Sequence, residues 1–153
     1  MTADYGDARG GRLARLRDAG PGQPLFAYGT LQFPQVLLGL LGRCPALEPA
    51  ELPGWRSAVL PGLLYPGLVP APDSIARGVL LSGLSEGEWA VLDAFEDDEY
   101  DLRTVRLADG PASTYVWTGA VAPNDWSAQR FTAEHLTTFA ARSAHWRARL
   151  GPQ

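Results

Sequence analysis

Apolar positions change their spacing several times along the chain, and each change marks an element. Met1 to Pro24 is polar and glycine-bearing, with Arg9, Arg12, Arg15 and Arg17 interleaved with Leu13 and Leu16. That pattern predicts a flexible N-terminal extension over residues 1–23, a frayed tail or one short surface helix, with a weak anion-binding arm as the alternative. Leu25-Phe26-Ala27-Tyr28 is a continuous apolar and aromatic run that stops at Gly29, the signature of a short buried strand. Phe33-Pro34 then opens a helix over Gln35 to Leu41, with Pro34 suited to its first turn and Gly42 to its stop. From Cys44 to Leu81 the chain is rich in Pro and Gly, with strand-like pieces at Trp55 to Leu60 and Ile75 to Leu81 around a turn-laden stretch from Pro61 to Pro72.

The second half is more regular. Ser85 and Glu88 form a capping-box pattern at the head of a helix. On that helix Trp89, Leu92, Asp93 and Glu96 fall at i, i+3, i+4 and i+7, so Glu96 is expected to share the apolar face of Trp89 and Leu92. Leu102 to Leu107 and Ser113 to Trp117 read as two strands of a hairpin turning at Asp109-Gly110. After Pro123-Asn124-Asp125, one amphipathic helix carries Phe131, His135, Phe139, Arg142, Trp146 and Leu150, with Trp126 and Phe131 read as core. No internal repeat interrupts this order.

Length and composition narrow the class. A chain of 153 residues reads as one domain, 24–150, able to bury about 70% of its unfolded surface. The hydrophobic fraction of 46% and net charge of −4 give neither disorder nor an overall basic footprint for nucleic acid. All thirteen basic residues are arginine, which excludes lysine Schiff-base chemistry. Cys44 is the single cysteine, so a disulfide or a cysteine metal cluster within the chain is excluded and a cytoplasmic setting is expected. No run approaches the ~20 apolar residues that span a bilayer.

The catalytic inventory is short. The serine-hydrolase elbow, the Walker loop and the dinucleotide fingerprint are all missing. His135 and His145 stand ten residues apart, about 80° off a common helical face, which argues against a shared metal. Carboxylate chemistry beside a backbone-rich loop remains. Gly29 lets amide groups approach a ligand, and the helix near Pro34 offers the positive end of its dipole to an anion. Glu96, if packed against Trp89 and Leu92, would have its charged form disfavoured and its pKa raised toward working pH, as a general base requires. A solvated acidic face is the competing reading of Leu92 to Tyr100, and calcium lacks its loop spacing there.

In order along the chain, Tyr28-Gly29-Thr30-Leu31, Tyr65-Pro66-Gly67-Leu68-Val69-Pro70, Arg77-Gly78, Leu92-Asp93-Ala94-Phe95-Glu96 with Tyr100 and Val105, and Tyr115-Val116-Trp117 make the sequence similar to the gamma-glutamylcyclotransferase-like (AIG2-like) family. It departs from that pattern at Asp97, where glycine is common, and at Leu102, where arginine is frequent. The resemblance implies a single-domain α+β fold built on a small mixed β-barrel with flanking helices. It also implies that an L-γ-glutamyl amine or amino acid cyclises to 5-oxoproline and releases its amine. In that reading Tyr28, Gly29, Thr30 and Leu31 hold the γ-glutamyl group and Glu96 moves the proton. Tyr100 and Tyr115 line the cavity as hydrogen-bonding aromatics, with core packing in a strand as the alternative for Tyr115. The expected partner is a small-molecule γ-glutamyl substrate, without metal, cofactor, nucleic acid or membrane, in a monomer or homodimer. A non-catalytic binding domain, or a tailoring enzyme that removes a γ-glutamyl cap in a biosynthetic pathway, are the alternatives.

Overall fold

The continuous apolar run from Leu25 becomes β1 (Leu25–Ala27), a three-residue strand buried on both faces, as a run without polar alternation requires. A computed structural model describes residues 11–14, 16 and 22–151. After β1 come a 3-10 turn (Thr30–Gln32), α1 (Pro34–Leu41), β2 (Ala46–Ala58) and β3 (Gly67–Ser82). They are followed by α2 (Glu86–Phe95), β4 (Tyr100–Leu107), β5 (Gly110–Trp117), α3 (Ala128–Glu134) and α4 (Leu136–Leu150).

The five strands form one mixed sheet in the order β2-β3-β1-β5-β4, in which β1 runs parallel to β5 and the other neighbours are antiparallel. Strand alternation sends Leu25 and Ala27 to one face, where they pack with Leu37, Leu92 and Phe131 of the helices. It sends Phe26 and Tyr28 to the other, where they meet Leu52, Leu68, Val105 and Val116. Around this second cluster the edge strands β2 and β4 approach one another, so the sheet curls toward a barrel. The α+β architecture with a mixed sheet and flanking helices is therefore as the sequence reading has it.

Several local expectations change. The Pro- and Gly-rich stretch is one long hairpin, 13 residues in β2 and 16 in β3, rather than short strands on stiff loops. Pro49 and Pro53 are tolerated because β2 is an edge strand, and the register breaks between Pro53 and Trp55. The β4–β5 hairpin turns at Ala108 and Asp109, with Gly110 already paired to Leu107. The expected single C-terminal helix divides at His135, whose φ of −132° leaves the helical range and separates α3 from α4. Gly42 stops α1 and the Ser85–Glu88 capping box opens α2, both as read.

Residues 11–14 are helical and Arg12 is buried at 5% exposure. The described part of the expected flexible extension is thus anchored in the domain. Arg9, Arg15 and Arg17 lie outside the described residues. Among the described residues, no helix is long and apolar enough to cross a membrane.

Candidate active site

The site forms where β1 runs out. Tyr28 is held by its hydroxyl, which donates to the Tyr115 carbonyl across the sheet. Gly29 follows at a place where a side chain has no room: a Cβ there would lie 2.8 and 2.9 Å from the Pro66 ring. The chain then coils into the 3-10 turn, whose first hydrogen bond runs from the Gln32 N–H to the Gly29 carbonyl at 3.2 Å. The amides of Thr30 and Leu31 precede that bond and are left over by the turn itself. The Gln32 side chain donates to the Tyr28 carbonyl at 2.8 Å and fixes the entry to the turn.

A cavity of about 380 Å³ opens beside this turn, in the size range of small-molecule sites. Tyr28, Gly29, Thr30 and Leu31 line one part of it, and Glu96, Tyr100 and Tyr115 another. All seven residues singled out in the sequence therefore meet in one cavity. The start of α1 is absent from its lining, because the 3-10 turn intervenes between Gly29 and Pro34. The expected dipole contribution of that helix to a bound anion is thereby corrected.

Glu96 arrives by a route other than the one its spacing predicts. The helix ends at Phe95, and Glu96 is its C-cap with extended backbone (φ −75°, ψ 144°). It leaves the stripe of Trp89 and Leu92, and the carboxylate that shares their burial is Asp93, at 1% exposure. Glu96 is half-buried at the cavity wall instead. Its N–H still donates to the Leu92 and Asp93 carbonyls at 3.2 and 3.3 Å, which ties its position to the last turn of α2.

Four phenols surround this carboxylate. Burial pushes Tyr28, Tyr100 and Tyr115 well above the ordinary tyrosine value, and the negative charge of Glu96 adds to the shift at each. Tyr65 is raised as well, first by burial, then by its bond to Asp97, with Glu96 contributing again. All four are neutral hydroxyls at neutral pH. All four are committed to the protein: Tyr28 donates to the Tyr115 carbonyl, Tyr100 to the Pro66 carbonyl at 2.6 Å, Tyr115 to Asp93 Oδ1 at 2.7 Å and Tyr65 to Asp97 Oδ2 at 2.7 Å. Tyr100 and Tyr115 thus both line the cavity and pack in the core.

Sequence reasoning missed Tyr65, Asp97, Phe95 and Phe139 as lining residues, and Asp93 with Arg12 beneath them. Tyr65 carried a signal, since it heads the Tyr65-Pro66-Gly67 stretch of the family resemblance. Asp97, where the family commonly has glycine, closes its own loop: Oδ1 accepts the Glu99 N–H at 2.9 Å while Oδ2 accepts from Tyr65. Arg12 offered no signal of its own, because one of four arginines in a polar, glycine-bearing terminus reads as solvated.

With this geometry in view, the comparisons with known proteins agree. A family profile described as gamma-glutamyl cyclotransferase, AIG2-like, matches residues 25–136. AIG2-like protein C of Arabidopsis thaliana is 38% identical over 106 residues, a match that spans 65% of this chain and 62% of that protein, just under two thirds of its length. AIG2-like protein A of the same plant is 32% identical over 124 residues, covering 75% of each chain. A solution structure of an Arabidopsis thaliana protein superposes with a TM-score of 0.60 at 30% identity, covering 86% of this chain and 95% of that one. The profile takes in every strand, the 28–31 turn and Glu96, and on that ground the chain belongs to the gamma-glutamyl cyclotransferase, AIG2-like family.

Proposed function

We propose that this cavity converts an L-γ-glutamyl amine or γ-glutamyl amino acid to 5-oxoproline and the free amine. The observation that carries the reading is the meeting of one half-buried carboxylate, Glu96, with the donor-rich 28–31 turn in a single small-molecule-sized cavity.

The chemistry needs little else. The Tyr28–Leu31 turn holds the α-carboxylate of the γ-glutamyl group through the amides of Thr30 and Leu31. Glu96 accepts a proton from the α-ammonium, and the freed amine attacks the γ-carbonyl carbon of the same molecule. A C–N bond forms, and the carbonyl oxygen takes up negative charge. Glu96 then gives its proton to the departing nitrogen as the old C–N bond breaks and the carbonyl re-forms, and takes the second proton from the new ring nitrogen, which leaves the neutral lactam; that proton leaves with the released amine as its ammonium. Folding the substrate so that both ends of one molecule meet can contribute about 7–11 kcal/mol at best. The neutral phenols of Tyr28, Tyr100 and Tyr115 enclose the reacting atoms without competing for the proton.

The test incubates the protein and its Glu96→Gln variant with a panel of γ-glutamyl amino acids and γ-glutamyl amines and measures 5-oxoproline. Glutamine keeps the shape and loses the base, so the variant should be slower by about 10²–10⁴-fold in kcat. Equal product from both proteins would remove Glu96 from the mechanism.

A further inference from the structure

We propose that Arg12 is a positioning residue for Glu96: from ahead of β1, its guanidinium staples the end of α2 to the loop that follows, and so fixes the residue between them. The inference rests on Glu96 being the base.

The last carbonyls of a helix have no partners within it, and α2 carries no basic residue in its last turn to supply them. Arg12 supplies one of them, that of Asp93, from 81 positions upstream. Its Nη2 donates to the Asp93 carbonyl at 2.9 Å, and its Nη1 donates to the carbonyls of Asp97 at 2.7 Å and Tyr100 at 3.1 Å. Those carbonyls lie three residues before Glu96, one after it and four after it. A single rigid plane therefore spans the helix end, the 96–99 loop and the start of β4, and Glu96 is enclosed by its attachments.

The guanidinium is held in turn. Its Nε lies 3.1 Å from Asp93 Oδ1, with Arg12 at 6% and Asp93 at 1% side-chain exposure. The Tyr115 ring packs under its Cζ, 5.5 Å from the centroid, and the Tyr115 hydroxyl donates to the same Asp93 oxygen. The Tyr115 carbonyl accepts from Tyr28, which opens the substrate turn. The chain Arg12–Asp93–Tyr115–Tyr28 thus ties the loop bearing Glu96 to the turn that would hold the substrate. Lysine cannot replace the fork, since one ammonium cannot reach three carbonyls spread over the same plane.

The test uses full-length Arg12→Lys and Arg12→Gln, each alone and combined with Glu96→Gln. A misplacement of the base without loss of substrate contacts should lower kcat about ten- to a hundredfold and leave KM within about threefold. In the Glu96→Gln background the Arg12 change should cost nothing further, because there is no base left to position. Amide exchange should quicken across residues 93–100 and stay native across β1 and β3. Full kcat in both variants, an equal loss in both backgrounds, or exchange that quickens uniformly through the chain would overturn the proposal. If the native protein releases no 5-oxoproline from any substrate, the proposed function fails by itself. The exchange measurement then still decides the staple: quickening confined to 93–100 supports it, and native exchange there overturns it.

Discussion

Gly78 is where the frame of the site tolerates least. It lies in β3 beside the end of β1, and a Cβ at Gly78 would stand 2.1 Å from the Ala27 carbonyl oxygen and 2.9 Å from both the Ala27 carbonyl carbon and Tyr28 Cα. Ordinary carbon–oxygen contacts begin near 3.3 Å, so Gly78→Ala forces a separation of about 1.2 Å between the two backbones. No rotamer relieves it, since both partners are main chain. That separation stretches the β1–β3 ladder beside the Ala27–Val79 pair and breaks one or two hydrogen bonds, worth about 0.5–1.5 kcal/mol each, on top of about 1–3 kcal/mol for overpacking. Restriction of the unfolded chain by alanine returns about 0.4–1 kcal/mol. These ranges centre on a net loss of about 3 kcal/mol, which should lower Tm by about 6–12 °C in a domain of this size. Calorimetry gives the Tm, and 5-oxoproline kinetics should show KM rising more than kcat falls, because the displaced residues lead into the 28–31 turn. A Tm within about 2 °C of the native protein would refute the steric argument, since relief on that scale requires the strands never to have been so close.

Gly87→Ala makes the contrasting case: it lies in the first turn of α2 with nothing nearer than Ser85 Oγ at 3.9 Å, so it should raise stability by about 0.5–1 kcal/mol in denaturant titration. Tyr115→Phe removes the hydroxyl that Asp93 accepts in a buried setting and should cost about 1.5–3 kcal/mol, read as a shift in the urea midpoint at unchanged slope. Alkaline pH should destabilise the fold steeply. Tyr28, Tyr100 and Tyr115 keep their protons above the ordinary tyrosine range when folded, whereas the unfolded chain loses them near pH 10, so the folded state binds more protons and stability falls as pH rises beyond that point. Each contributes a slope of about 1.4 kcal/mol per pH unit, and phenolate absorbance should appear for these three only as the protein unfolds.

The fold was legible where a local pattern decides it. The apolar run before Gly29, the capping box at Ser85 and the stop at Gly42 are each settled by a few neighbouring residues, and the structure has them in place. The β2–β3 hairpin was less legible because prolines argue against a strand only when its amides are needed. At a sheet edge they are not, and only the strand order reveals that β2 is an edge. The break at His135 was hidden for a related reason: spacings of three and four continue across it, while the backbone leaves the helical range at that single residue.

The site tests the helical-face argument more sharply. Spacing places Asp93 and Glu96 on one stripe, and a sequence alone offers no reason to give them different fates. The chain separates them by ending α2 between the two. Asp93 stays in the last turn, buried with Trp89 and Leu92, and a carboxylate at 1% exposure requires a counter-charge. Arg12 provides that charge, and the planar fork that neutralises Asp93 also binds the carbonyls on either side of Glu96. Glu96, released into extended backbone, reaches the cavity wall. The structural carboxylate and the cavity carboxylate are thus products of one helix terminus, and the arginine that makes the first tolerable also sets the position of the second.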